Sequence, residues 1–394
     1  MEKATREQTK NHNTRLVLKT IYQQGDTSRA DIARITNLTR TTVSDIVAEL
    51  IDAGLLVETG MGESAGGKPP ILLKVRENGR QLICLDLSTR PFNGAVVNLR
   101  GQIYERAEAG PSGAPLTGEQ ALQAVYELID RLVEHARAPL IGIGVGVPGL
   151  TDAENGVVRN SVHLNWKDVP LGRLLAERYH LPVYLLNDSH AAALAEFTFG
   201  AMRGSANLIL VRIGEGIGAG ILLSGRLHFG DSFGAGEIGH LTVVEGGRAC
   251  SCGNYGCLET VAAPLAIIRS ARELAEYDPK TFGGLHGAEI NWDFILQRFK
   301  IGDETITALI QEGGRYLGIA VANLVSILNV QRIAISGRTV EFDQTFLDAV
   351  HAEVRRRSLS IMSDEMQIVN STLGPDIVIL GVSAQILTNK MGLP

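Results

Sequence analysis

The stretch Gly236–Glu259, GEIGHLTVVEGGRACSCGNYGCLE, carries the densest chemistry in the 394-residue chain. It spaces His240, Cys250, Cys252 and Cys257 as H-x9-C-x-C-x4-C. Three thiolates and one imidazole form a donor set for tetrahedral zinc. Four protein ligands leave no open position, so the expected role is structural, with one Zn2+ per chain. Gly253 and Gly256 permit the chain to curl around the ion. Three of the four cysteines fall within eight residues, which suits a metal site better than a disulfide framework. The fourth, Cys84, lies in an apolar run and is expected in the core. His240 can bind metal through one ring nitrogen and offer the other to a polar ligand. Glu237 and Glu259 flank it and are expected to line one wall of a hydroxyl-rich site.

Around this loop, apolar runs alternate with helical patterns. Leu82–Ser88, Asn93–Leu99 and Ile103–Ala107 predict a strand meander, followed by a helix over Ala121–Ala136 and a strand at Ile141–Val147. Leu171–Tyr179 reads as helix, Val183–Leu186 as strand and Ser189–Phe199 as an alanine-rich helix. A second meander starts with strands at Asn207–Ile213 and Gly218–Ser224, and a further strand is expected at Val243–Val244. Helices are predicted over Ala262–Ala275, Asp293–Phe299 and Ile306–Leu328. Short strands are expected at Arg332–Ser336 and Ile377–Leu380. The plan strand, strand, strand, helix, strand thus occurs twice, which predicts an α/β fold of two similar lobes with a cleft between them.

Asn187 and Asp188 follow one strand and open a helix, where α/β lobes usually bind ligands. Amide and carboxylate suit adjacent sugar hydroxyls, and in a kinase Asp188 would be the general base. A helix N-cap role is compatible with both. The segment Ile213–Ile221, IGEGIGAGI, is a glycine-rich turn that either cradles phosphate or is a plain hairpin. It lacks the Lys and Ser/Thr of a nucleotide P-loop.

Residues 13–60 read NTRLVLKTIYQQGDTSRADIARITNLTRTTVSDIVAELIDAGLLVETG. Leu16, Val17, Ile21 and Tyr22 form a helical stripe ending at Gly25. Ser28 is expected to cap a second helix carrying Ala30, Ile32, Ala33 and Ile35, and Asn37-Leu38 a turn. Thr39 starts a third helix that buries Val43, Ile46, Val47 and Leu50 and stops at Gly54. Strands follow at Leu55–Glu58 and Ile71–Val75. This is the pattern of a winged helix-turn-helix, with a three-helix interaction module as the plainer reading. Arg40, Thr41, Thr42, Ser44 and Asp45 lie on the polar side of the third helix. Arg40, Thr41, Thr42 and Ser44 are the candidate operator contacts, with Lys68 at the wing. Arg6, Lys10 and Arg15 are candidates for further phosphate contacts.

The chain has 37 basic and 43 acidic residues, a formal net charge of −6, which excludes a wholly basic nucleic-acid coat protein. Residues 1–80 carry 12 basic and 10 acidic side chains, so the excess positive charge is local and small. Pro139–Leu150 and Leu317–Val330 are too short to span a bilayer, which needs about 20 residues. The N-terminus lacks an apolar signal core. No membrane insertion and a cytoplasmic location are expected.

Together these motifs resemble the ROK family of bacterial sugar-responsive repressors and sugar kinases, over nearly the whole chain and most strongly from Leu210 to Glu259. The resemblance implies two actin-like, hexokinase-like (ribonuclease H-like) lobes, normally in a homodimer or homotetramer. It assigns His240, Cys250, Cys252 and Cys257 to zinc. It assigns a sugar to Asn187, Asp188, Glu237, His240 and Glu259, with Asn160 joining them and Asn165 as its alternative. The N-terminal winged helix places the chain with the family's repressors, and Gly66–Leu72, GGKPPIL, resembles their wing. The implied domains are 1–80 for DNA, 81–190 plus 376–394 for the first lobe, and 191–375 for the second lobe with its zinc loop.

Family kinases carry an Asp-x-Gly-Gly-Thr phosphate turn. The equivalent here is Asp86-Leu87-Ser88-Thr89-Arg90, without either glycine and followed by Pro91. Glu215 stands where kinases commonly have Thr, putting negative charge near the expected phosphates. The reading is therefore a repressor, not an enzyme, whose affinity for double-stranded operator DNA changes when a monosaccharide or related sugar binds between the lobes. An ATP-dependent sugar kinase with an added DNA-binding domain, and a regulator controlled by a protein partner, are the alternatives.

Overall fold

The structure is a computed structural model and describes residues 5–63, 69–111 and 115–393. Helices α1 (Arg6–Gln24), α2 (Arg29–Thr36) and α3 (Arg40–Asp52) open the chain. Local capping chemistry sets their boundaries. Thr5 and Gln8 form a capping box on α1, the Ser28 hydroxyl accepts from the Asp31 amide, and Thr39 accepts from Thr42. Asn37 takes the left-handed conformation that ends α2, at φ 56°. Val43, Ile46, Val47 and Leu50 are buried, as are Val17, Ile21, Ile32 and Ala33. Ala30 and Ile35 face outward. Strands Leu56–Met61 and Ile71–Val75 pair antiparallel, and Thr27–Ser28 adds a third strand. This is a winged helix.

The chain divides into two compact units, Met1–Asp188 with Ile379–Pro394, and Ser189–Val378. The first holds a five-stranded sheet ordered Val183–Asn187, Leu140–Val147, Gln81–Asp86, Phe92–Asn98, Ile103–Ala109. Phe92–Asn98 pairs antiparallel with both Gln81–Asp86 and Ile103–Ala109, and the first two strands run parallel to Gln81–Asp86. Helix Gly118–His135 buries Ala121, Val125, Leu128, Ile129 and Leu132 in the core of this unit. The second unit repeats the topology. Its sheet runs Gln367–Asn370, Arg332–Gly337, Leu208–Ile213, Ile217–Leu223, Arg226–Leu227, with the same alternation of parallel and antiparallel pairs. Helices Glu304–Leu328 and Asp343–Arg357 close the second core. The two sheets share one strand order, and the repeat of the plan read from the sequence is present in both units.

Two sequence expectations fail. Val243–Val244 is not a strand of the second sheet: Thr242 makes an isolated bridge to Cys257, and the third strand is the two-residue Arg226–Leu227. The expected strand Ile377–Leu380 is the start of helix Ile377–Ile386. Ile377, Val378, Ile379 and Val382 are all buried. A short apolar run buried on every side carries no period that separates strand from helix. Cys84 is fully buried and burial pushes its thiol pKa up, as a core residue requires. Among the described residues no helix is long and apolar enough to cross a membrane.

Candidate functional site

The segment Gly236–His240 is shaped by two close approaches to strand Ile217–Leu223. A Cβ on Gly236 would lie 1.9 Å from the Ala219 carbonyl oxygen, and one on Gly239 2.2 Å from that of Ile217. Ile238 is buried between them, 3% exposed. Glu237 and His240 project from the same short helical turn, which spans Ile238–His240. The carboxylate and imidazole are therefore held three residues apart by a backbone that cannot lift off the strand.

The ligand atoms of His240, Cys250, Cys252 and Cys257 lie within 4.8 Å of one another. Cys250 Sγ is 3.6 Å from His240 Nδ1, and Cys252 Sγ is 3.7 Å from Cys257 Sγ. Zinc bonds of about 2.3 Å to sulfur and about 2.0–2.1 Å to nitrogen, at tetrahedral angles, give edges of about 3.5 and 3.8 Å. The donor set and its spacing fit a four-coordinate dication. Burial pushes the Cys250 thiol up to about 12 and raises that of Cys257, whereas the Asn254 backbone holds the Cys252 thiol down. Gly256, at φ 68°, turns the loop where a Cβ would meet the Val244 carbonyl at 1.7 Å. Gly253, at φ 93°, turns it in open space.

The two nitrogens of His240 face different groups. Nδ1 lies toward Cys250 and is 3.7 Å from Glu259 Oε1, while Nε2 is 3.8 Å from Glu237 Oε2. Glu259 also approaches Cys250 Sγ at 3.0 Å, and its other oxygen sits 3.0 Å from where a Gly216 Cβ would be. Glu237, His240 and Glu259 thus form one polar wall, beside the turn Gly214–Gly216. Gly218 and Gly220 in the adjoining strand serve packing: Cβ atoms there would meet Ser189 and Ala193 of helix Asp188–Phe199 at 2.4 Å.

In the first unit Asn187 ends its strand and Asp188 begins the next helix, both under one-tenth exposed. Asn187 Nδ2 donates to the Gly149 carbonyl at 3.0 Å. Gly149 abuts the Asn160 carbonyl, so Asn160 is brought near Asn187. Asn165 lies in the turn beyond, at φ 51°. The turn after Asp86 is closed on itself. Asp86 Oδ1 accepts from the Ser88 amide at 2.8 Å and the Ser88 hydroxyl at 2.5 Å, and Asn93 donates to Thr89.

On α3, Arg40, Thr41, Ser44 and Asp45 are exposed along one face. Thr42 is half-buried and its hydroxyl pairs with that of Thr39 at 2.9 Å. Lys68 lies outside the described residues. Arg15 turns away from this face: it donates to the Asn389 carbonyl. Lys10 pairs with Glu49 of α3 at 2.7 Å, a link that no local motif announces.

A winged helix joined to two α/β units of hexokinase- and actin-like topology, one with a metal-ready loop, defines a known class of regulator architecture. Residues 10–57 match a winged helix-turn-helix DNA-binding family and residues 82–389 match the ROK family. The chain belongs to the ROK family. The xylose repressor of Caldicellulosiruptor bescii is 32% identical, over 97% of each chain. The DNA-binding transcriptional dual regulator NagC of Escherichia coli K12 is 31% identical, over 92% of this chain and 89% of its own. A solved ROK family transcriptional regulator, homolog of the E. coli MLC protein, superposes with a TM-score of 0.84 at 29% identity, over 97% of this chain and 98% of that one.

Proposed function

We propose that the protein is a sugar-responsive transcriptional repressor. The observation that carries this reading is the joint presence, in one chain, of an exposed α3 face and the Glu237–His240–Glu259 wall beside a metal-ready loop. A homo-oligomer presents two α3 helices to a pseudo-palindromic operator. Arg40, Thr41 and Ser44 reach the major groove, and Thr42 fixes the helix start. Carboxylate and imidazole groups of the wall hold sugar hydroxyls, with Asn187, Asp188 and Asn160 assigned to the same ligand. A structural zinc ion on His240, Cys250, Cys252 and Cys257 would fix the loop and the His240 ring. Sugar binds more tightly to the conformation with low operator affinity, so occupancy releases DNA.

Phosphate transfer is not part of this reading. The Asp86 carboxylate is committed to Ser88, where a nucleotide would need close backbone approach. Glu215 adds negative charge on the second turn. The test is titration of operator DNA with D-xylose, D-glucose and N-acetylglucosamine, with calorimetry for sugar binding. A sugar that binds and weakens operator binding supports the reading. Unchanged operator affinity with a demonstrably bound sugar refutes it, and sugar-dependent ATP turnover abolished in Asp188→Asn favours the kinase.

A further inference from the structure

The winged helix is joined to the first sheet by a built joint. Arg100 stands in the turn between strands Phe92–Asn98 and Ile103–Ala109. The fully buried Asn98 shapes that turn: its Oδ1 accepts from the amides of Arg100 and Gln102 at 2.9 and 3.0 Å. Arg100 Nη1 donates to the Tyr22 carbonyl at 2.7 Å, near the end of α1. Its guanidinium lies 4.0 Å from the centre of the Tyr22 ring, and Glu77 Oε1 is 3.6 Å from its Nε. Tyr22 is only 4% exposed, so this is an enclosed cation–π contact rather than a surface one.

The connecting segment is pinned on both sides of the joint. The Arg76 amide donates to the Leu55 carbonyl and the Leu99 amide to that of Glu77. Arg80 Nη2 donates to the Ala53 carbonyl at 2.6 Å, and a Cβ on Gly79 would lie 2.2 Å from the Gly54 carbonyl. Further back along α1, the Arg15 stem packs on Gly392, and its guanidinium donates to Asn389. Asn389 lies in the π-helical end, Leu387–Met391, of the helix that begins at Ile377. The chain passes between the two compact units near the start of that helix, at Val378–Ile379. Helix α1 is therefore gripped at Tyr22 by the sheet and at Arg15 by the C-terminal helix.

We propose that the Arg100–Tyr22 clamp is the mechanical joint through which sugar occupancy changes operator affinity. The inference rests on the repressor reading above. A head on a loose tether would sample its orientations regardless of sugar, and ligand could then shift no DNA-binding equilibrium. A head clamped to the sheet must follow it. Arg100 touches neither sugar nor DNA; it is a positioning residue, and its signature is lost coupling with both binding events retained.

The experiment measures operator binding by fluorescence anisotropy for full-length wild type, Arg100→Ala and Arg100→Lys. D-xylose, D-glucose and N-acetylglucosamine are the probes, with sugar affinity measured separately by calorimetry. Wild type is expected to lose operator affinity at least about fivefold with a bound sugar. In Arg100→Ala that ratio falls below about twofold, while sugar affinity and sugar-free operator affinity each stay within about threefold; Arg100→Lys retains part of the ratio. A full wild-type ratio in Arg100→Ala overturns the joint and leaves the repressor reading standing. A wild type that binds sugar without any response overturns the repressor reading first. Hydrogen–deuterium exchange reads the joint with no sugar at all. Amides at the end of α1, Ile21–Gln24, are expected to exchange faster in Arg100→Ala than in wild type, and unchanged exchange overturns the clamp.

Discussion

Replacing Gly236 by alanine tests whether close backbone docking holds the Glu237–His240 wall. Gly236 sits at φ 96°, and its Cβ would lie 1.9 Å from the Ala219 carbonyl oxygen. Ordinary contact begins near 3.4 Å, so the segment must retreat by about 1.5 Å or the strand must bend. A side chain in this backbone region costs about 1–2 kcal/mol by itself. Overpacking adds about 1–3 kcal/mol. Gly246 isolates the first cost, because it has φ 63° and nothing within 4 Å of its Cβ position. Gly246→Ala should therefore show only backbone strain, and Gly236→Ala should exceed it by about 1–3 kcal/mol. In a unit of this size the difference is a Tm gap of about 2–12 °C. Differential scanning calorimetry of the two variants reads the gap, and sugar calorimetry reads the displaced wall. Equal Tm shifts, with sugar affinity untouched in Gly236→Ala, would refute the docking argument.

Cys252→Ser removes one of four donors, and zinc measured by mass spectrometry is expected to fall from about one per chain to near zero; full retention would break the assignment. Arg40→Ala should weaken operator binding by about 1–3 kcal/mol if the side chain reads a base, seen by anisotropy on the operator and on scrambled DNA. An equal loss on both would make it a phosphate contact instead. Glu353 is held down to about 2 by its hydrogen bond to Arg356, opposed by burial and helped by Arg357. Its folded pKa lies below the unfolded value, so its stabilisation is present above about pH 4.5 and is lost as pH falls toward 2. The guanidinia are partly exposed, so solvent screening discounts the contribution. Urea melts of wild type and Glu353→Gln should therefore differ at pH 7 and converge near pH 2.

What the sequence disclosed follows the range of the forces involved. Ser28, Asn37 and Thr39 act within a few residues, so the helix boundaries of the DNA-reading head were legible from single side chains. The cluster of His240, Cys250, Cys252 and Cys257 was legible because four soft or borderline donors have little other reason to gather. Val243–Val244 misled because β-branched residues favour strands, while the loop here makes only isolated bridges, Thr242 to Cys257 and Ala249 to Tyr255. Ile377–Leu380 misled because a helix buried all round loses its amphipathic period. The Arg100–Tyr22 contact joins positions 78 residues apart through a backbone carbonyl and a ring face, and neither leaves a spacing motif.

The Gly-Glu-Ile-Gly-His segment shows why the legible part of the site lies where it does. Gly236 and Gly239 are three residues apart because both must meet one strand, at Ala219 and Ile217. That requirement turns Ile238 into the core and forces Glu237 and His240 outward together. The same peptide is then held from the other end, since His240 Nδ1 faces Cys250 while Nε2 faces Glu237. A ring nitrogen and a carboxylate thus stand side by side, 3.8 Å apart, a pair of the kind that hydrogen-bonds a hydroxyl. On the sugar-site reading proposed above, the wall and the strand packing are one constraint, so a substitution at either glycine should disturb sugar affinity by displacing Glu237 and His240.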